Sequence, residues 1–116
     1  MKFKRQYNFQ KRMEEANRVI KKFPDRVPII CEKSSTAPYD CPDIDKSKYL
    51  VPKELTMGQF LCVIRNRLKF GPEKGLFLFV GDTIPPTSAY ASDIYNHYAE
   101  NDGFLYVTYC PENTFG

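Results

Sequence analysis

From Asn8 to Phe23 the apolar positions Phe9, Met13, Ala16, Ile20 and Phe23 recur at spacings of three and four, which predicts an amphipathic helix that Pro24 stops. Arg26 to Lys33 is rich in Val and Ile and follows a Pro-Asp turn. It predicts a strand in which Pro28 is tolerated only where its missing N–H faces away from the ladder. Ser34 to Asp45, punctuated by Pro38 and Pro42, predicts a loop, and Lys46 to Val51 a second strand closed by Pro52. Thr56 and Gln59 form a Thr-x-x-Gln capping box ahead of Met57, Phe60, Leu61, Ile64 and Leu68, which share one helical face until Gly71-Pro72. The run Leu76-Phe77-Leu78-Phe79-Val80 has no polar alternation, so it predicts a strand buried on both faces and central in its sheet. Ser88 to Glu100 predicts a short helix around Ile94 and Tyr98. Asn101-Asp102-Gly103 then turns into a last strand, Phe104 to Cys110, which Pro111 to Thr114 break.

The predicted order is helix, strand, strand, helix, strand, short helix, strand. A hairpin, a helix crossing the sheet and further strands make an α+β arrangement, for which a β-grasp domain with an N-terminal helical extension is one candidate among several. With 116 residues the chain is long enough for one core and too short for two. The divisions expected within this single domain are a basic helical segment 1–24, a core 25–110 and a flexible tail 111–116.

Composition narrows the class. A hydrophobic share of 42% and a charged share of 27% are ordinary for globular domains. No run nears the roughly 18 apolar residues of a membrane span, and Met1 to Gln6 lacks the apolar segment of a signal peptide, so a soluble intracellular protein is expected. Cys31, Cys41, Cys62 and Cys110 show no Cys-x-x-Cys pair; buried free thiols are the expectation, not a disulfide framework or a zinc site. His97 is the one histidine, with no evident catalytic partner.

Charge is uneven. Residues 1–22 hold eight basic side chains against Glu14 and Glu15, a local +6 within a total of +3. Such a segment suits an acidic membrane surface, an acidic protein tail or nucleic acid, and equally a solvated helix face.

The strings KKFPDRVPII, DKSKYLVP, LTMGQFLCVIR, LFLFVGDTIPPTSA and DGFLYVTY occur in this order and are followed by Phe115 and Gly116. Over nearly the whole chain they resemble the autophagic ubiquitin-like modifiers of the GABARAP and microtubule-light-chain type. The resemblance implies a ubiquitin core preceded by two short helices, no catalysis, no cofactor and no nucleic-acid partner. It also implies conjugation of Gly116 to phosphatidylethanolamine during autophagosome formation and docking of short motifs from cargo receptors and adaptors. The implied partners further include activating and conjugating enzymes, a processing cysteine protease and the phosphatidylethanolamine membrane. The implied location is the cytoplasm, with the autophagosome membrane for the conjugated form. A non-conjugated peptide-binding adaptor in vesicle trafficking is the alternative.

Independently of the resemblance, the terminal proline and lysines of Lys46 to Pro52 suit an edge strand, where they either deter aggregation or accept an extended peptide as an added strand. By resemblance, a pocket for an aromatic side chain is lined by Glu15, Val19, Pro28, Lys48, Leu50 and Phe104. A second, for an aliphatic side chain three residues on, is lined by Tyr49, Val51, Pro52, Leu55, Phe60 and Val63. Arg26, Lys46, Lys48 and Arg67 on the rim favour acidic residues flanking the motif. Val51, Leu55 and Phe60 are equally suited to plain core packing. Two departures stand against the family pattern. The segment before Lys21 is roughly two residues shorter, with a correspondingly longer loop around Ala37 to Pro42. Val19 and Val63 occupy positions where larger aliphatic residues are common. At the end of the chain, six extended residues from Pro111 to Gly116 reach roughly 20 Å, and a terminal glycine lets its carboxyl carbon be approached closely in a narrow channel.

Overall fold

The computed structural model describes residues 1–112. Its elements are α1 (Lys2–Gln6), α2 (Phe9–Lys22), β1 (Arg26–Lys33), β2 (Lys48–Pro52), α3 (Met57–Leu68), β3 (Leu76–Phe79), α4 (Ala91–Tyr98) and β4 (Leu105–Pro111). The sheet order is β2-β1-β4-β3. The central pair, β1 and β4, is parallel, and both outer pairs are antiparallel.

Strand alternation sends side chains to two layers. Val27, Ile29, Cys31, Tyr49, Val51, Leu105, Val107 and Tyr109 meet Met57, Phe60, Ile64 and Leu68 of α3 and Ala91 and Ile94 of α4 in the larger core. On the other face Ile30, Phe104 and Tyr106 meet Phe3 and Ala16 of the N-terminal helices. The capping box forms as read, with Gln59 N–H donating to the Thr56 hydroxyl and Thr56 N–H to the Gln59 side chain. Pro28 also fits. Cys31 N–H points to β2, donating to Ser47, so by alternation the Pro28 nitrogen faces β4, whose register with β1 starts one residue later at Ile29↔Leu105.

Three expectations are corrected. Leu76 to Val80 is not central: β3 is an edge strand pairing only with β4, Val80 lies outside it, and Phe77 is exposed. An unbroken apolar run does not distinguish a doubly buried strand from an edge strand that leaves aromatic rings partly uncovered. The last strand is not broken at Pro111, which pairs with Leu76, while Glu112 N–H donates to the Gly75 carbonyl. A proline is admissible there because β4 ends at that point; the rest of the predicted tail, Asn113 to Gly116, lies outside the described residues. Finally, α4 begins at Ala91 rather than Ser88, its first N–H groups donating to the Leu55 and Lys53 carbonyls.

The basic N-terminus folds onto the sheet instead of standing away from it. Glu32 of β1, buried, accepts from the N–H groups of Lys2 and Phe3 at 2.8 and 2.9 Å. Those donors have no partner inside a helix. Phe3 then packs edge-on against Phe104, ring centroids 5.2 Å apart. α2 is held by Asp102, 1% exposed, which accepts from Arg12 Nε at 2.9 Å, from the Tyr106 hydroxyl and from Phe104 N–H. Arg12 also donates to the Tyr7 carbonyl at 2.7 Å, tying the α1–α2 connection to the same carboxylate. Next to it, Gly103 has φ +94°, and a Cβ there would come within 2.8 Å of the Ala16 Cβ, so α2 sits on a backbone that only glycine allows.

Removing the Asp102 carboxylate leaves the buried Phe104 N–H and Tyr106 hydroxyl, and the Nε of Arg12, without their acceptor. We expect Asp102→Ala to lower unfolding free energy, measured by urea denaturation. Amide exchange should quicken across residues 1–22 before it does in β1 and β4.

Candidate functional site

β2 pairs with β1 alone, so its other side is an open row of backbone groups. The register decides which ones. Cys31 N–H donates to the Ser47 carbonyl at 2.8 Å and Lys53 N–H to the Asp25 carbonyl at 3.2 Å. In this antiparallel register the bonded pairs are therefore the odd-numbered residues, and Lys48, Leu50 and Pro52 turn their backbone groups outward. Pro52 has no N–H to leave unpaired, and its carbonyl accepts from Leu55 at 3.1 Å. An added strand would meet the N–H and C=O groups of Lys48 and Leu50.

The side chains divide between the two faces. On the α2 face, Leu50 lies opposite Pro28 and is half-buried. Val19, Pro28 and Phe104 are buried. Glu15 crosses from α2 to β2, accepting from Arg18 at 2.8 and 3.1 Å and pairing with Lys48. Of the six expected residues, the structure thus joins two pairs, Leu50 with Pro28 and Glu15 with Lys48. A cleft of about 570 Å³ opens beside them, between α1, α2 and the start of β2; it includes Glu15 and Lys48 but is otherwise lined by residues outside the expected set, among them Phe3, Tyr7 and Lys11.

On the α3 face, Tyr49, Val51 and Phe60 belong to the core. The Tyr49 and Phe60 rings meet edge to face at 5.5 Å, and the Tyr49 hydroxyl donates to the Lys46 carbonyl at 2.7 Å. Burial pushes the Tyr49 phenol up to about 12. Leu55 is half-buried, and Pro52 and Val63 are exposed. Arg67 donates to Asp45 at 3.2 Å, Lys46 lies over the Tyr49 ring, and Arg26 Nη1 lies 3.2 Å from the Leu50 carbonyl.

The fold is that of a known group. The family model described as "Autophagy protein Atg8 ubiquitin like" matches residues 11–116. The chain is 54% identical to Autophagy-related protein 8 of Kluyveromyces marxianus over 114 residues, covering 98% of this chain and 90% of that one. It is also 54% identical to Autophagy-related protein 8 of Saccharomyces cerevisiae, covering 98% and 96%. The crystal structure of Trypanosoma brucei ATG8 superposes with a TM-score of 0.91 at 44% identity, over 100% of this chain and 98% of that one. The chain belongs to the Atg8 family.

As an Atg8-family member it has the ubiquitin-like fold, a mixed four-stranded sheet with helices, preceded by the two N-terminal helices. Gly116 lies outside the described residues. Sequence reasoning missed two carboxylates, one at the rim of this edge and one beneath α2. Asp45 meets Arg67 across 22 positions and Asp102 meets Arg12 across 90, separations at which no local spacing carries a signal. The thiols are all free, but not uniformly buried: Cys31 and Cys41 are buried, Cys110 is half-buried and Cys62 is exposed on α3. His97 is exposed, and among the described residues no cluster of His, Cys, Asp and Glu is arranged for a metal.

The Glu15 bridge has a pH consequence. Hydrogen bonds from Arg18 and Lys48 lower its carboxyl from the ordinary 4.5 to about 2. A lowered acid favours the folded state fully above its unfolded pKa and loses that contribution as pH falls toward the folded one. The stability advantage of the native chain over Glu15→Gln should therefore be constant above about pH 5 and fade between about 4.5 and 2, read from urea midpoints across that range.

Proposed function

We propose that this Atg8-family chain is a non-catalytic modifier with two tasks. It docks acidic-flanked aromatic-x-x-aliphatic motifs of cargo receptors and adaptors along β2, and it is joined through Gly116 to phosphatidylethanolamine. The observation that supports the first task is the division of side chains between the two faces of one edge strand. Leu50, half-buried, lies opposite Pro28 on the α2 face, while Tyr49 and Val51 turn to the α3 face, where Leu55 packs on the same core. In an extended peptide, residues three apart point to opposite faces. An aromatic anchor and an aliphatic anchor separated by two residues thus match an edge with one pocket on each side, while its backbone bonds to Lys48 and Leu50.

The second task draws on family membership and on the path of β4. Pro111 and Glu112 run along β3 to the sheet's end, so the positions after them start from a rigid support. An ATP-dependent enzyme would adenylate the Gly116 carboxylate and then hold it as a thioester, which the phosphatidylethanolamine amine attacks to give an amide and a free thiol. Two acyl chains anchor a domain firmly where one does so marginally. The free form belongs in the cytoplasm and the conjugated form on autophagosome membranes. The further partners are the conjugation enzymes and a processing cysteine protease.

Leu50→Ala is the informative substitution for docking, because Tyr49 is a core residue whose truncation would disturb the fold. It should weaken a peptide with an acidic-flanked aromatic-x-x-aliphatic core on the order of tenfold in calorimetric titration; unchanged affinity would place the groove elsewhere.

Reconstitution with the conjugation enzymes, ATP and phosphatidylethanolamine vesicles should add lipid mass to the intact chain and none to a chain lacking Gly116. A peptide-binding chain that gains no lipid would instead be a non-conjugated adaptor.

A further inference from the structure

Of the cations around the β2 edge, Lys48 and Arg67 are held by carboxylates, Glu15 and Asp45. Arg26 is different. It lies opposite Pro52 at the start of β1, is exposed, and takes part in none of the ion pairs among the described residues. Its Nη1 instead donates to the carbonyl of Leu50 at 3.2 Å. That carbonyl belongs to the outward-facing set of β2, the groups an added strand has to use. The side chain of one strand therefore covers an acceptor on the free edge of its neighbour.

We propose that Arg26 is a removable cap on this edge and, through it, a specificity determinant for the docked peptide; the inference rests on β2 being the docking edge. In the free protein the guanidinium satisfies the Leu50 acceptor and occupies the approach of an incoming backbone N–H. Docking exchanges one bond for two: the peptide N–H takes the Leu50 carbonyl, and Arg26 turns to a carboxylate of the same peptide. A guanidinium–carboxylate contact is charge-assisted on both sides and stronger than a guanidinium–carbonyl contact, so the exchange is favourable when the peptide brings an acid. A peptide with neutral flanks replaces the donor on the Leu50 carbonyl but offers the displaced guanidinium no carboxylate in return. Arg26 thus discriminates by penalising neutral segments as well as by attracting acidic ones, which also keeps an open strand edge from pairing indiscriminately.

The experiment uses the full chain and its Arg26→Gln and Arg26→Ala variants, each verified as folded by circular dichroism. They are titrated with two peptides whose termini are blocked: one with an acidic-flanked aromatic-x-x-aliphatic core, the other with every acid replaced by its amide. The cap requires the neutral peptide to bind both variants about three- to tenfold more tightly than it binds the native chain, with the preference for acid shrinking accordingly. In the free protein, Arg26→Gln should also shift the carbonyl ¹³C resonance of Leu50, since that oxygen loses a donor. If the neutral peptide binds all three proteins equally while only the acidic one weakens, Arg26 is a simple rim cation and the cap is wrong. An unmoved Leu50 carbonyl overturns it as well. Failure of both peptides to bind the native chain would remove the docking edge itself, and the cap with it; binding that is indifferent to Arg26 would remove the cap alone.

Discussion

The parallel pairing of β1 with β4 is the constraint from which the other features follow. It brings residues 29–33 beside 105–109 and puts these two strands at the centre of the sheet. β2 and β3, each antiparallel to one central strand, are left at the edges. Because both central strands have covered faces, their side chains are apolar on each side: Ile29 and Leu105 toward α3 and α4, Ile30 and Tyr106 toward α1 and α2. The helices have no freedom to gather on one side. They must cover two faces, and in doing so they build a wall on either side of the β2 edge.

Carboxylates at long sequence separation complete this arrangement. Glu32 and Asp102 sit nearly out of solvent and tie the N-terminal segment to the sheet, Glu32 accepting from the first N–H groups of α1 and Asp102 from Arg12 of α2 as well as from Phe104 N–H and the Tyr106 hydroxyl. A buried carboxylate without such donors would be strongly unfavourable, so the basic N-terminus and these two acids are mutually dependent. At the surface Glu15 and Asp45 do the same less tightly for Lys48 and Arg67. Three of the eight basic side chains of residues 1–22 are engaged in ion pairs: Lys4 with Glu100, Arg12 with Asp102, Arg18 with Glu15.

The proposed site follows from geometry that no single pocket residue supplies. Tyr49, Val51 and Phe60 are core side chains whose contribution is to hold the strand in place. Leu50, Lys48 and Val63 are the parts that meet solvent. A docking edge of this kind would couple recognition to stability, because the residues under it are those that keep the sheet and α3 together, and a partner would read only their outer surface and the backbone between them.

Local chemistry was decisive wherever neighbours along the chain suffice. The capping box at Thr56 and Gln59 starts α3, the apolar spacing sets α2, and the proline and lysines of Lys46 to Pro52 mark an edge strand; each is a matter of a few residues and short-range bonds. The resemblance carried by the ordered motifs supplied the ubiquitin-like core. Tertiary structure alone decided the rest. The apolar run at Leu76 to Phe79 reads the same at an edge as at a centre, and only the pairing of β4 with β1 leaves it outside. A five-residue α1 is too short to show a period; the resemblance implied it, but that Glu32 of β1 receives its first N–H groups is visible only in the fold. Asp102 reads as a turn residue, yet packing makes it the buried partner of a guanidinium 90 positions away. Pairings at such separations are absent from local pattern because the chain between the partners contributes nothing to them until the sheet has closed.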